Sequence, residues 1–345
     1  MLTVLSVAYP LAPVDPGAIG GAEQILSAID TEIVARGHRS IVVACEGSQV
    51  SGELLAFPLP AEPYDDAART CAQATVRNLL AANAARADVV HMHGIDFDAY
   101  LPPPRPPTLA TLHLPPSWYA TAALNPPRPD VWLNCVSRSQ HSAMAGVAHT
   151  PNLLPPIENG VDVARFAGAR HATRGYALML GRICPEKGQH LALAAAHRVG
   201  IPLLIGGIAY PYPSHRAYFD EQVTPLLDGK RRCLGALGFD RKRRLLASAR
   251  CVLIPSLAPE TSSLVAMEAM ACGTPVIAFT AGALPELVEH GCTGFLVRDV
   301  AEMADAIGAV GGIDRESCRE TARSRFALAR MVDAYIGVYE KLASR

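Results

Sequence analysis

Arg250-Cys251-Val252-Leu253-Ile254-Pro255, resuming at Pro259-Glu260-Thr261-Ser262-Ser263-Leu264-Val265-Ala266-Met267-Glu268-Ala269-Met270-Ala271-Cys272-Gly273-Thr274-Pro275-Val276, reads as a strand, a loop, a helix and the opening of a second strand. The first six residues carry a short apolar run of strand length. Leu264, Val265, Met267 and Ala271 then follow helical spacing until Gly273 ends the helix, and Pro275 starts another extended run. Glu260 therefore falls on a strand-to-helix loop and Glu268 inside the helix. In an open parallel sheet such loops lie at the carboxyl ends of the strands, where ligands bind. The helix start offers free backbone N–H groups and a positive dipole end to an anion. A carboxylate on that loop can meet hydroxyls while the amides hold phosphate.

Outward from this stretch the same alternation runs through the chain. Residues 3–8, 40–44, 89–93, 107–113 and 131–136 read as strands in the first half, and 176–180, 202–206, 232–235, 251–255, 275–279 and 294–297 in the second. Strands alternating with helical runs predict α/β architecture with parallel sheets covered on both faces. Between the two series, Thr150-Pro151-Asn152-Leu153-Leu154-Pro155-Pro156 breaks regular structure. A length of 345 residues suits two domains, each with its own core.

Several landmarks, in order, resemble the retaining glycosyltransferases of family 4. The Glu260 and Glu268 pair, with seven residues between them and followed by Ala269-Met270-Ala271-Cys272-Gly273-Thr274-Pro275-Val276, is similar to the family signature. Gly181-Arg182-Ile183-Cys184-Pro185-Glu186-Lys187-Gly188 resembles its phosphate-clamping loop. Gly282-Ala283-Leu284-Pro285-Glu286 and Gly291-Cys292-Thr293-Gly294-Phe295-Leu296-Val297 resemble its closing stretch. Gly20-Gly21-Ala22-Glu23 fits the glycine-rich first loop, Thr111-Leu112-His113 the family histidine, and Asn159-Gly160-Val161-Asp162 with Phe166 the interdomain hinge. The resemblance implies a GT-B fold: two doubly wound Rossmann-like domains facing a cleft. Residues 1–152 would form the acceptor-side domain, 153–325 the nucleotide-sugar-binding domain, and 326–345 a helix crossing back to the first.

Composition narrows the partners. Half the residues are apolar and the formal charge is −1, so no polyanion-binding surface is indicated and nucleic acid is not expected as a partner. Residues 1–150 hold eight arginines, no lysine and thirteen acidic residues, a balance of −5, which disfavours an anionic membrane surface. A soluble, hydroxyl-bearing acceptor is expected instead. The longest apolar stretches, such as residues 199–208, are broken by Pro202, Gly206 and Gly207, well short of the ~20 residues that span a bilayer. The start has no basic flank and reads as a first strand, so a cytoplasmic location is expected. Nine cysteines without a Cys-x-x-Cys pair indicate reduced thiols, several of them in the core, with neither a disulfide framework nor a zinc site. The proline-dense pieces at 102–107, 115–116 and 126–129 read as stiff loops of the acceptor side or as plain surface connectors.

A sugar leaving a nucleoside diphosphate develops charge on the phosphate oxygens, which fixed cations and aligned amides stabilise best. Arg182 and Lys187, between a strand end and a helix start, are the expected cations. Gly20 and Gly21 open a helix after the first strand and are expected to wall the donor site. Ser262, Ser263, Leu264 and Val265 are the expected phosphate-side residues at the helix start. Ser263 stands where the family usually has glycine, so a left-handed backbone is not expected there.

The resemblance implies contacts from Glu260 to the donor sugar, from Glu268 to the ribose, from the Leu237 loop to the base and from His113 to the sugar's 6-hydroxyl. Glu268 lies among apolar neighbours and so requires a partner for its charge. His93 is a candidate on the acceptor side, and His91 shares its strand face. Two histidines without a third ligand make no metal site. The basic run Arg241-Lys242-Arg243-Arg244 reads as a solvated helix face.

The implied activity is retaining, metal-independent hexosyl transfer by a front-face mechanism. It requires no cofactor, and a nucleoside diphosphate sugar is the co-substrate, uridine diphosphate being the default. Two alternatives stand beside it: a nucleotide-sugar-binding protein without turnover, and a Rossmann-type NAD-dependent oxidoreductase. The second requires Gly-x-Gly-x-x-Gly after the first strand, which the chain lacks.

Overall fold

The structure, a computed structural model, describes residues 1–59, 65–145, 147, 152–168 and 171–345. Thr150 and Pro151 of the expected interdomain break lie outside these residues. The chain divides into two compact units, Met1–Asn159 with Leu328–Arg345, and Gly160–Ala327. The division thus falls at 159/160, where the sequence suggested 152/153.

Among the described residues the first unit holds six strands: β1 Thr3–Val7, β2 Arg39–Cys45, β3 Glu53–Phe57, β4 Val89–Met92, β5 Thr108–Leu112 and β6 Val131–Cys135. All pair in parallel, in the order β3-β2-β1-β4-β5-β6. The second unit holds β7 Ala177–Leu180, β8 Leu203–Gly206, β9 Arg231–Cys233, β10 Cys251–Ile254, β11 Val276–Phe279 and β12 Gly294–Val297, in the order β12-β11-β10-β7-β8-β9. Counted from its own first strand, each sheet has the doubly wound order 3-2-1-4-5-6. The strand order therefore reverses between β1 and β4 in one unit and between β7 and β10 in the other. The loops leaving those four strands carry Gly20 and Gly21, His93, Arg182 and Lys187, and Glu260.

Central strands are buried on both faces, which is why they appear in the sequence as apolar runs: every residue of β4, β5 and β10 is buried. Three expected strands began on a proline and start one residue later in the structure. Pro107, Pro202 and Pro275 have no N–H to donate, yet their carbonyls accept from Val90 at 3.0 Å, Ala177 at 2.9 Å and Val252 at 3.0 Å. Strand β3 was not expected. It is a half-exposed edge strand preceded by Ser51 and Gly52, whose amides are held by the buried Asp30 carboxylate at 2.5 and 3.2 Å.

The last helix, Leu328–Ala343, belongs to the first unit. Tyr335 and Tyr339 on it are fully buried, their rings 5.2 and 5.6 Å from that of His91. Asp333 pairs with Arg36, and Arg330 with Glu158 at 3.2 Å. Among the described residues no helix is long and apolar enough to cross a membrane.

Candidate donor site and its surroundings

In the second unit the loop after β7 folds onto the end of β10. A 3-10 turn, Pro185–Lys187, is followed by Gly188 at φ +70°, where a Cβ would run into Pro255 O. Glycine alone permits this approach, which carries Lys187 over the next loop. Its Nζ lies 2.6 Å from Glu260 Oε1, and Ser256 Oγ donates to the same oxygen. The Glu260 main chain is gripped in turn by Gly282-Ala283. Ala283 N donates to Glu260 O at 2.7 Å, and Gly282 sits at φ +59° where any side chain would strike Glu260. The expected closing stretch thus positions the first glutamate. Lys187, expected on phosphate, and Glu260, expected on sugar, are joined in one ion pair.

Helix Leu264–Ala271 starts from Ser263, whose Oγ accepts from Ala266 N at 3.3 Å. Its φ of −139° is extended, as the absence of glycine predicted. Met267 N bonds to Ser263 O, so the amides left to an anion are those of Leu264 and Val265. Ser262 Oγ beside them is a buried hydroxyl without a hydrogen-bond partner. Arg182 stands on the loop that leaves β7, its guanidinium 5.6 Å from the Tyr210 ring and its carbonyl accepting from Gln189 Nε2 at 2.8 Å.

Glu268 is buried, and its partner is Lys242, with Nζ 2.6 Å from Oε1. Burial raises its carboxyl above the ordinary value, against the pull of Lys242. This corrects the reading of Arg241–Arg244 as a solvated face. Arg241 and Arg244 are exposed, whereas Lys242 neutralises the helix glutamate and Arg243 donates to Arg165 O at 3.1 Å. Leu237, in the loop before this helix, lies over Gly206 at the end of β8.

In the first unit Gly20 precedes helix Gly21–Ala35 with extended backbone (φ −77°), so no left-handed geometry demands glycine there. Its missing side chain makes room instead for the Glu23 carboxylate, which folds back against it.

His93 and His113 meet at the ends of β4 and β5, with Nδ1 of the first 3.0 Å from Nε2 of the second and their rings stacked. His91 is packed between Tyr339 OH on Nδ1 and Thr111 Oγ1 on Nε2, both at 2.7 Å. Burial holds all three histidines below their ordinary value, His113 at about 4. His93 Nε2 is buried without a partner. The sequence treated His93 and His113 as unrelated; the spacing of parallel neighbours β4 and β5 brings them together.

The chain contains one Asp-x-Asp triplet, Asp96-Phe97-Asp98, which the metal-free expectation passed over. Asp96 spends its two oxygens on Tyr100 OH at 2.8 Å and Gln73 Nε2 at 2.6 Å. A second grouping was invisible to cysteine spacing: the ligand atoms of Cys184, Glu186 and His215 lie within 4.8 Å of one another.

Residues 174–310 match the family described as "Glycosyl transferases group 1". D-inositol 3-phosphate glycosyltransferase of Mycolicibacterium smegmatis is 32% identical over 216 residues, covering 54% of this chain and 47% of that protein. The chain thus spans about half the length of that curated relative. Among solved structures, sucrose-phosphate synthase of Thermosynechococcus elongatus superposes with a TM-score of 0.80 at 21% identity, covering all of both chains. Alr3699/HepE of Anabaena in complex with UDP-glucose gives 0.76, also at 21% identity and full coverage. With two doubly wound units and full-length superposition on these structures, the chain has the GT-B fold, and its second unit matches the group 1 glycosyltransferases.

Proposed function

We propose that this chain moves a hexose-type sugar from a nucleoside diphosphate donor to an acceptor hydroxyl, with retention and without a metal in the reaction. The Lys187–Glu260 pair beside the Leu264 and Val265 amides carries this reading. It sets one cation, one carboxylate and a helix start at the strand-order reversal of a single sheet, where α/β proteins bind ligands. The complex of HepE with UDP-glucose supports uridine diphosphate as the donor nucleotide.

In the proposed reaction the bond from the anomeric carbon to the diphosphate oxygen breaks and its electron pair stays on that oxygen. Lys187, Arg182 and the two amides stabilise the charge as it grows. The acceptor oxygen bonds to the anomeric carbon on the same face, and its proton passes to the departing phosphate oxygen. Glu260 holds the sugar by its hydroxyls. Glu268 is expected to take the ribose diol, which requires Lys242 to share its carboxylate with the ligand. His113 and His93 are proposed for the sugar's 6-hydroxyl and the acceptor, each as a neutral imidazole.

Thermal-shift titration with UDP, GDP, ADP, NAD and the common sugar nucleotides tests the reading, followed by anomer assignment of any product. Stabilisation by one sugar nucleotide, lost in Lys187→Ala, and a product with the donor's anomeric configuration are expected. Binding of NAD alone would sink it, and nucleotide binding without turnover on any hydroxyl acceptor would leave a binding protein.

A further inference from the structure

The strongest unassigned grouping is the one formed by Cys184, Glu186 and His215. Cys184 and Glu186 flank Pro185 in the turn that carries Lys187, and His215 lies on helix Pro213–Tyr218. Their ligand atoms, one sulfur, one carboxylate oxygen and one imidazole nitrogen, lie within 4.8 Å of one another. His215 Nδ1 is a buried nitrogen without a hydrogen-bond partner. The Cys184 thiol is buried, with a long contact to Arg182 O at 3.8 Å and a hydrogen bond to the Glu186 carboxylate. The Glu186 main chain is fixed by Leu257 N at 2.8 Å, so the turn has little freedom to move away.

We propose that Cys184, Glu186 and His215 bind one divalent cation of the zinc class and that the ion ties the Arg182–Lys187 loop to helix Pro213–Tyr218. A thiolate with an imidazole and a carboxylate suits a borderline-soft ion over magnesium or calcium, which take oxygen ligands alone. Bonds of 2.0–2.3 Å at tetrahedral angles set ligand atoms ~3.5 Å apart, so the three close by about an ångström through side-chain rotation. Thiolate and carboxylate together balance the ion's two charges. Binding releases the Cys184 proton to solvent, and water fills the fourth position. The ion takes no part in the transfer chemistry; it braces the loop on which Arg182 and Lys187 stand.

Cobalt titration of the full chain, freed of metal by chelation, tests the site without donor or acceptor, so its result is independent of the transferase reading. One equivalent of cobalt is expected to give thiolate-to-metal charge-transfer absorption that zinc displaces, and zinc is expected to raise the melting temperature. Cys184→Ser should abolish the absorption. His215→Gln and Glu186→Gln should weaken binding on the order of 10- to 100-fold, the range that even supporting groups of metal sites command. Absence of the charge-transfer absorption in the wild type, or its persistence in Cys184→Ser through another thiol, would overturn the proposal. If Cys184→Ser fails to fold, affinity decides through His215→Gln: an unchanged value overturns the site.

Discussion

Lys187 Nζ and Glu260 Oε1 stand 2.6 Å apart across two loops that leave adjacent strands, β7 and β10. The lysine remains half-open to solvent while the glutamate is largely covered and also receives Ser256 Oγ. The pair is therefore a preformed charge arrangement in which the ammonium is the accessible end. Lys187→Ala is expected to lower kcat by about 100- to 1,000-fold, the loss typical of a transition-state charge contact. Glu260→Gln retains the hydrogen bond from Ser256 and should act mainly on sugar recognition. The two effects should be non-additive, because each residue restrains the other. Steady-state kinetics of the single and double variants measure this, and strict additivity would show that the pair does not work as a unit.

Glu268 provides a stability test away from the transfer step. Removing one partner of a buried ion pair costs about 3–5 kcal/mol, and Lys242→Met should approach that loss at neutral pH. Burial raises the glutamate's folded value above the ordinary one, and loss of Lys242 raises it further. The folded variant then binds a proton that the unfolded chain has released, so its stability declines as pH rises through the window above the ordinary carboxyl range. Urea melts at several pH values should show the variant regaining stability as pH falls. A pH-independent deficit would mean that packing of the lysine stem, not charge, is lost.

The contrast between Glu268 and β3 shows what the sequence could convey. A carboxylate among Ala266, Met267, Ala269 and Met270 declared its need for a partner, but four cationic residues stand together at 241–244. Only the turn of the helix chooses Lys242 among them. The doubly wound architecture was legible because the central strands are largely apolar, β7 and β10 entirely so, a pattern set by burial on both faces. β3 lacks it because Leu54 and Leu55 are half-covered at a sheet edge. Lys187 and Glu260 each stand out in the sequence as candidates, whereas their contact depends on Gly188 folding one loop over the other. At Gly20 the room its hydrogen leaves is filled by Glu23, a tertiary detail with no pattern in the sequence.

The histidine cluster predicts acid sensitivity. His91, His93 and His113 are held neutral by burial, below the ordinary histidine value of 6.5, with His113 at about 4. Their folded values are depressed, so on acidification the unfolded chain takes up protons first. Stability should fall as pH drops from about 6.5 towards about 4. Denaturation of the wild type across this range should show the decline, and His113→Gln should lose part of the slope. If the slope is unchanged in His113→Gln and in His93→Gln, acid sensitivity originates elsewhere.

Tyr339 tests how firmly the last helix is fastened to the first unit. Its hydroxyl meets His91 Nδ1 at 2.7 Å in a fully buried position, while His91 Nε2 meets Thr111, itself bonded to Asn134 Oδ1 at 2.6 Å. Tyr339→Phe keeps the ring packing and deletes only the oxygen, leaving an imidazole nitrogen stranded in the interior. A buried polar group without a partner costs about 1–3 kcal/mol, so the variant should unfold at lower urea with an unchanged m-value. His91→Phe in the same background should recover part of the loss, because the stranded nitrogen is then gone and an apolar ring replaces it. If Tyr339→Phe is as stable as the wild type, the chain Tyr339–His91–Thr111–Asn134 fills space without stabilising the helix through its hydrogen bonds.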